Sequence, residues 1–436
     1  MLAYYFWLGL RNLRRNPALT SLMVLILSIG VAASVSTLTI LHAMSADPIP
    51  QKSDRLFTVE LDNGDAQGYT PGAKPDYQLT YTEVKNFLAS GIGVRRVGLY
   101  SVDGVFETAR ADLGVFLQDG MAASKDLFGI LDIPFLYGQG WGASEDEQGR
   151  DVVVLSKQAA EKLFATTNAV GKTVKLWGTA FQVVGVYDKI DIRPRFYHWG
   201  GRTGSYLTKD EFVVPLATAL RHEVPQSGSM SCHGNRDSGW ENMLKAECNW
   251  MAFWFEMESA GQRSQLQSYI DGYVAGQNKL GRFQRHAKNM VLNVREWLVD
   301  RRLIGDDSKL SAWLAMGFLL LCLVNTIGLL LAKFSARASE VGVRRALGAS
   351  RREIFAQFLI ESGVVGLVGA GVGIVLAFGA LALIANQSRY LTAVAHMDWL
   401  MLMATVLMSV GAALLAGLLP TWRACQITPA IQLKSQ

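Results

Sequence analysis

Four windows of the chain, Asn16 to Ala46, Leu310 to Ala332, Ser362 to Ser388 and Trp399 to Trp422, are mainly apolar and contain no Asp, Glu, Lys or Arg. Each has at least 23 residues, and a helix needs roughly 20 apolar residues at about 1.5 Å rise to cross a hydrocarbon core of about 30 Å. The pattern predicts four transmembrane helices. The first window exceeds the roughly 7 to 15 apolar residues of a cleaved secretory signal, so it is expected to remain as a helix, with Asn16 as N-cap and Pro17 in its first turn.

Between the first two windows the solid apolar runs give way to alternation and turn signals. "LFTVEL" at 56–61 and "DVVVLS" at 151–156 predict strands rich in β-branched residues. "SKQAAEKLFATTN" predicts a helix capped by Ser156, with Ala159, Ala160, Leu163 and Phe164 on one face. "GKTVKLWGTAFQVVGVYD" predicts a hairpin that turns at Trp177, Gly178 and Thr179, and "EFVVPLATAL" a further strand and helix start. A mixed α/β domain is therefore expected at 46–309. From about Asp191 to Trp250 the texture changes to the basic, aromatic "IRPRFYHWGGRTG" and the turn-rich "PQSGSMSCHGNRDSGWEN". Two readings stand there, surface loops or an insertion, and a recognition surface of aromatic and Arg side chains.

Between the second and third windows lies "EVGVRRALGASRREIFAQFLIES". Ala336 to Leu347 is expected to form a short helix, with Glu340 and Arg344 paired at i, i+4. Gly348 suits the left-handed position after its end, and Ser350 with Glu353 makes a capping box for the next helix. At the N-terminus, Arg11, Arg14 and Arg15 share one face of a helix expected to lie in the membrane interface. Within the third window, Gly369 and Gly373 form a small-xxx-small pair. Its partner is either another helix of the chain or a second subunit.

Composition agrees with a membrane class, at 50% hydrophobic and 18% charged residues. Lys and Arg cluster at Arg11, Arg14 and Arg15, from Lys333 to Arg352, and at Arg423 and Lys434, whereas the link 387–398 carries only Arg389. The positive-inside rule puts both termini and the arginine stretch in the cytoplasm and 46–309 outside. The net charge of +5 is modest and arises mostly in those flanks, so no nucleic-acid partner is expected. The basic flanks suit contact with anionic membrane lipid. Cys232 and Cys248 both fall in the outside segment, where an oxidising compartment favours a disulfide between them, two free thiols being the alternative. No metal site is expected, because His233 beside two cysteines lacks paired ligand spacing. "GKT" at 171–173 mimics the end of a phosphate-binding loop, but Thr166 stands where that loop needs Gly. No nucleophile or carboxylate constellation marks an enzyme, and the charge-free windows argue against an ion relay at the bilayer midplane.

The chain resembles the MacB/FtsX-type (type VII) ABC transporter permeases. The likeness rests on "GLRNLRRNPALTSL" at 9–22, "DLFGILDIPFLYGQGW" at 126–141, the "VVVLSKQAAEKLF" and "VGKTVKLWGTAFQVVGVY" blocks within 152–187, the arginine stretch, and "GLLPTWRACQITPAIQL" at 417–433. It implies an α-helical membrane protein of the bacterial inner membrane: four transmembrane helices with a large mixed α/β periplasmic domain between helices one and two. The layout is an interfacial helix at 1–16, membrane helices at 17–45, 310–333, 351–386 and 399–422, and the periplasmic domain at 46–309, with an insertion at about 220–250. A cytoplasmic coupling helix and corner take 334–350, a short outer loop 387–398 and a cytoplasmic tail 423–436.

The resemblance further implies a pair of permeases, two copies or two homologues, with a cytoplasmic ATPase dimer docked beneath. Glu340, Val341, Gly342, Arg344 and Arg345 are the implied docking residues. ATP and Mg would act only through that separate ATPase, because the chain starts almost at helix one, and this chain binds no cofactor. The expected work is mechanical export of a periplasmic compound through an adaptor and an outer-membrane channel. The alternatives are an FtsX-like regulator of a cell-wall hydrolase or sensor kinase, and lipoprotein release.

Overall fold

Helices α1 (Leu2–Leu13) and α2 (Pro17–Ser45) open the chain, the second apolar on all sides. The computed structural model describes residues 2–425 apart from 46, 65, 67–68, 70–71, 73, 109, 111–112, 191, 198–209, 234–237, 286, 302–305 and 388–398. It divides into a helical unit, Met1–Ser45 with Ile304–Gln436, and an inserted unit, Ala46–Leu303.

The inserted unit begins with β1 (Leu56–Glu60), α3 (Tyr81–Ala89), β2 (Arg95–Glu107), β3 (Val115–Ala123), α4 (Leu127–Ile130), β4 (Phe135–Gly138) and α5 (Ala143–Gln148). Next come β5 (Val152–Ser156), α6 (Lys157–Phe164), β6 (Thr173–Leu176), β7 (Thr179–Tyr187), β8 (Phe212–Pro215) and α7 (Leu216–Arg221). A small ladder of β9 (Ser231–Cys232) and β10 (Cys248–Asn249) brackets α8 (Trp240–Lys245). The unit ends with β11 (Ala252–Glu256), α9 (Arg263–Lys279), β12 (Met290–Asn293) and α10 (Val294–Asp300). Ten strands make one mixed sheet in the order β12, β1, β11, β2, β3, β8, β5, β7, β4, with β6 bridging β2 and β7. Strands β1, β5 and β8 are buried along their whole length, as their near-continuous apolar runs require. Phe87 of α3 anchors one face, its ring 5.5 Å from Phe253 and 5.6 Å from Phe255 of β11.

Local chemistry follows the expected caps. The Ser156 hydroxyl accepts the Ala159 N–H at 2.9 Å and starts α6. The β6–β7 turn has two residues, Trp177 (φ 51°) and Gly178 (φ 77°), and Thr179 already belongs to β7. Two successive positive φ values match the right-handed twist of the flanking strands, which is why the turn is shorter than expected. Cys232 and Cys248 are disulfide-bonded across the β9–β10 pair. The recognition-surface reading of "IRPRFYHWGGRTG" is corrected over its first half. Arg195, Phe196 and Tyr197 are buried, Arg195 Nη2 lies 2.7 Å from Asp210, and the Tyr197 hydroxyl donates to Asp210 at 2.8 Å. Residues 198–209 lie outside the described set. Among the described residues no group of His, Cys, Asp or Glu is placed to hold a metal ion.

The helical unit resumes with α11 (Asp306–Ser335), α12 (Ala338–Ala346), α13 (Arg351–Gln387) and α14 (Trp399–Cys425). Helices α2, α11, α13 and α14 are each long and apolar enough to cross a membrane. Compared with the expected spans, α11 starts earlier at Asp306 and α14 runs on to Cys425. Helix α2 packs against the other three, and hydroxyls bind across the seams: Ser28 to the Gly369 carbonyl at 3.0 Å, Ser34 to the Ala315 carbonyl at 2.9 Å, Ser409 to the Gly366 carbonyl at 2.8 Å. Gly369 and Gly373 face Leu27, Ser409 and Ser28 of the same chain. The tighter position is Gly366, where an added Cβ would stand 2.8 Å from Ala413 Cβ and 2.9 Å from Val410 Cα.

Backbone cannot yield as a flexible side chain can, so Gly366→Val is expected to cost roughly 1–3 kcal/mol. Thermal unfolding of the full chain in detergent should show a clear drop for Gly366→Val and almost none for Gly371→Val, whose added Cβ meets open space. Equal melting temperatures would refute this packing.

Candidate functional site

Helix α11 ends in a two-residue turn, Ala336 and Arg337, and α12 begins at once. Gly348 (φ 98°) closes α12. Its N–H bonds the Arg345 carbonyl at 3.1 Å and the next N–H, from Ala349, bonds the Arg344 carbonyl at 3.1 Å, which is the paired geometry of a left-handed glycine stop. Two residues on, the Ser350 N–H donates to Glu353 Oε2 at 2.9 Å and the Glu353 N–H to Ser350 Oγ at 3.3 Å. The corner between α12 and α13 is thus held by backbone chemistry at both ends.

Helix α12 has two distinct faces. Val341, 4% exposed, is buried in one cluster with Ile354, Phe358 and Phe334, and Gly342 is buried beside it. On the opposite side Val343 (53% exposed) and Leu347 (84%) stand out with Ala346, an apolar ridge that none of the described residues covers. Arg344 reaches Glu340 at 2.6 Å and Gln357 at 2.9 Å, Glu340 also meets Arg15 at 3.1 Å, and Arg345 bonds the Cys425 carbonyl at 3.4 Å. Of the five expected docking residues, Val341 and Gly342 therefore point inward. Val343, Ala346 and Leu347 take the outward place, and the sequence reading missed them. The two valines, two positions apart, lie about 200° apart around a helix, so apolarity alone did not say which one faces out.

Beneath this corner lies a second feature that the charge-free windows concealed. Glu361 of α13 is 1% exposed and accepts from Arg337 Nη1 at 3.1 Å, lies 2.9 Å from Lys333 Nζ, and accepts from Asn12 Nδ2 at 3.2 Å. Lys333 and Arg337 are buried as well. Lys333 and Glu361 each stand one residue outside an uncharged window. The i, i+4 spacing of Lys333 and Arg337, opposite a lone acid, was the available signal.

In the inserted unit, ion pairs tie the first residues to the last. Asp47 meets Arg295 at 2.8 Å, and Glu60 of β1 meets Arg301 at 2.5 Å. Strands β1 and β12 lie side by side, Phe57 opposite Asn293 and Glu60 opposite Met290. Buried Glu256 gathers Arg95 at 2.8 Å, Arg55 at 3.1 Å and Lys52 at 3.8 Å. Burial pushes the Glu60 carboxyl up to about 7, against the pull of Arg301. A cleft of about 450 Å³ lies between α3, α5 and α7, with Val84, Leu88, Leu216 and Leu220 in its walls and charges of both signs at its rim.

Residues 20–259 match the family model described as a MacB-like periplasmic core domain, and residues 313–429 the one described as an FtsX-like permease C-terminal. The uncharacterized ABC transporter permease YknZ of Bacillus subtilis is 23% identical over 293 residues, 64% of this chain and 61% of that protein. The macrolide export ATP-binding/permease protein MacB of Hyphomonas neptunium is 23% identical over 452 residues, 98% of this chain and 60% of that protein. The chain thus spans about 60% of the length of these curated relatives. Among solved structures, the periplasmic region of MacB from Actinobacillus actinomycetemcomitans is 14% identical, covering 59% of this chain and 96% of that one at a TM-score of 0.36. The extracellular domain of YknZ, also 14% identical, covers 55% and 100% at a TM-score of 0.34.

The raised Glu60 carboxyl has a stability consequence. The folded chain keeps that proton up to about pH 7 while an unfolded chain releases it near the ordinary value of 4.5, so stability declines as pH rises from about 4.5 through 7. The decline should total roughly 3 kcal/mol. In denaturant titrations at pH 5, 6, 7 and 8, Glu60→Gln should flatten this dependence. An unchanged slope in the variant would count against the assignment.

Proposed function

The chain belongs to the ABC transporter permease family that joins a MacB-like periplasmic core domain to an FtsX-like permease C-terminal, and we propose that it is the membrane subunit that turns ATP hydrolysis in the cytoplasm into movement of its periplasmic domain. The hydrolysis belongs to a separate ATPase, docked as a dimer under two permeases in the inner membrane. Both termini and α12 are cytoplasmic, in keeping with the arginines that flank the membrane helices.

The observation that carries this reading is the outward ridge of Val343, Ala346 and Leu347 on a short helix stopped by Gly348 and followed by a capped corner. An exposed apolar ridge rimmed by arginines, on a helix that cannot slide along its own axis, is what a partner needs in order to push or pull. Arg344 and Arg345 flank the ridge and contribute charge to the same contact. Within the inserted unit, β1 is the first strand after α2 and β12 the last strand before α11, with α10 between β12 and α11, and the two strands are paired. Displacement of either helix is thereby proposed to reach one edge of the sheet, where Asp47 meets Arg295 and Glu60 meets Arg301.

Export of a periplasmic compound is the favoured work, since a relative that aligns over 98% of this chain is named a macrolide export protein. Such a stroke would pass the compound to an adaptor and an outer-membrane channel.

Replacing Val343 and Leu347 with Asp should abolish co-purification of the cognate ATPase while leaving the permease in the membrane fraction. Arg344→Glu with Arg345→Glu should weaken it too. Full recovery of the ATPase with the Val343 and Leu347 variant would rule out docking on this ridge.

A further inference from the structure

We propose that Glu361 is a positioning residue that makes α11, α12 and α13 move as one body, a role that rests on α12 being where the ATPase docks. Helix α11 and helix α12 are not one continuous helix. Ala336 and Arg337 form a turn between them, where the Arg337 N–H bonds the Phe334 carbonyl and the Val341 N–H restarts the ladder on the Arg337 carbonyl. A two-residue turn is a hinge: a force on α12 can be absorbed by small dihedral changes there, before it reaches the membrane-spanning part of α11.

The Glu361 carboxylate, on α13, closes over the α11 side of that hinge and the turn, while α12 is held to the same helix by Val341 packed with Ile354 and Phe358. Lys333, on the α11 side, lies 2.9 Å from it, and Arg337, in the turn itself, donates to both of its oxygens at 3.1 and 3.2 Å. Asn12 adds α1 to the same carboxylate at 3.2 Å. All three charged groups are buried, so water neither screens these attractions nor replaces them when they stretch. A second string of polar contacts, Arg15, Glu340, Arg344 and Gln357, runs outside it, but its ion pairs are substantially exposed and correspondingly weak. The hinge is therefore stiffened from within. Opening it would separate buried opposite charges, and moving α11, α12 and α13 together would not.

Charge balance identifies which partner matters most. Two cations face one anion, so loss of Glu361 leaves Lys333 and Arg337 as buried like charges, whereas loss of Arg337 leaves a balanced pair. Both changes free the hinge, and only the first adds repulsion. Neither residue lies on the outward ridge, so docking of the ATPase and movement of the periplasmic domain become separable.

The test uses the permease–ATPase complex in lipid nanodiscs, with a spin label on Leu280→Cys, an exposed position of the inserted unit; the two free cysteines, Cys322 and Cys425, are buried. The distance between labels on the two copies is measured with and without ATP. Glu361→Gln and Arg337→Gln should keep ATPase co-purification and ATP hydrolysis, and should lower the ATP-driven population of the displaced state about fivefold or more. Glu361→Asp, which keeps the charge, should recover most of it. A full ATP-driven change in either Gln variant overturns the proposal. Where Glu361→Gln does not accumulate in the membrane, Arg337→Gln alone decides, by the same criterion. A wild-type complex that fails to assemble, or that shows no ATP-driven change, refutes the transmission reading itself rather than the role of Glu361.

Discussion

A carboxylate withdrawn from water is tolerable only when cations and hydrogen-bond donors surround it, and that requirement at Glu361 organises one end of the helical unit. Meeting it takes Lys333 from the end of α11, Arg337 from the turn, and Asn12 from α1. Once those partners are in place, α12 has little freedom left. Val341 is pressed into the cluster with Ile354 and Phe358, and Val343 and Leu347 are turned outward as a consequence. The exposed ridge lies opposite Val341, whose burial against α13 sets the facing of the helix.

The inserted unit solves a related problem at its own ends. Its first strand, β1, and its last, β12, are adjacent, and the residues flanking them meet through a carboxyl and a guanidinium, Asp47 with Arg295 and Glu60 with Arg301. Backbone pairing between β1 and β12 sets the register of the seam, and the two contacts tie α10 and its C-terminal end to the residues around β1. In both units the ionic clusters occur where the chain changes direction or changes unit.

Much of this was legible beforehand, where the signal was local. The positive φ of Gly348, the Ser350–Glu353 box, the Ser156 cap and the strands at β1, β5 and β8 all follow from residues within a few positions of one another. The misreadings have a common physical origin as well. Arg195, Phe196 and Tyr197 looked like surface because they are basic and aromatic, yet Asp210, fifteen residues from Arg195, makes burial acceptable by pairing with that arginine and with the Tyr197 hydroxyl. Gly369 and Gly373 do pack against other helices of the same chain, and Gly366 is tighter still, because Ala413 and Val410 of α14 lie opposite it, which no local motif could show.

Taken alone, the sequence determined the membrane helices, their flanking charge, the α/β character of the insertion and the caps of the corner, since periodicity, hydropathy and turn chemistry act over short stretches. Only the tertiary structure decided which of Val341 and Val343 faces out, that Glu361 closes a three-way ionic joint, and that β1 and β12 are neighbours. Those outcomes depend on residues that are distant in sequence, such as Asn12 and Glu361, or Glu60 and Arg301, and their attraction exists only once packing has removed the water between them.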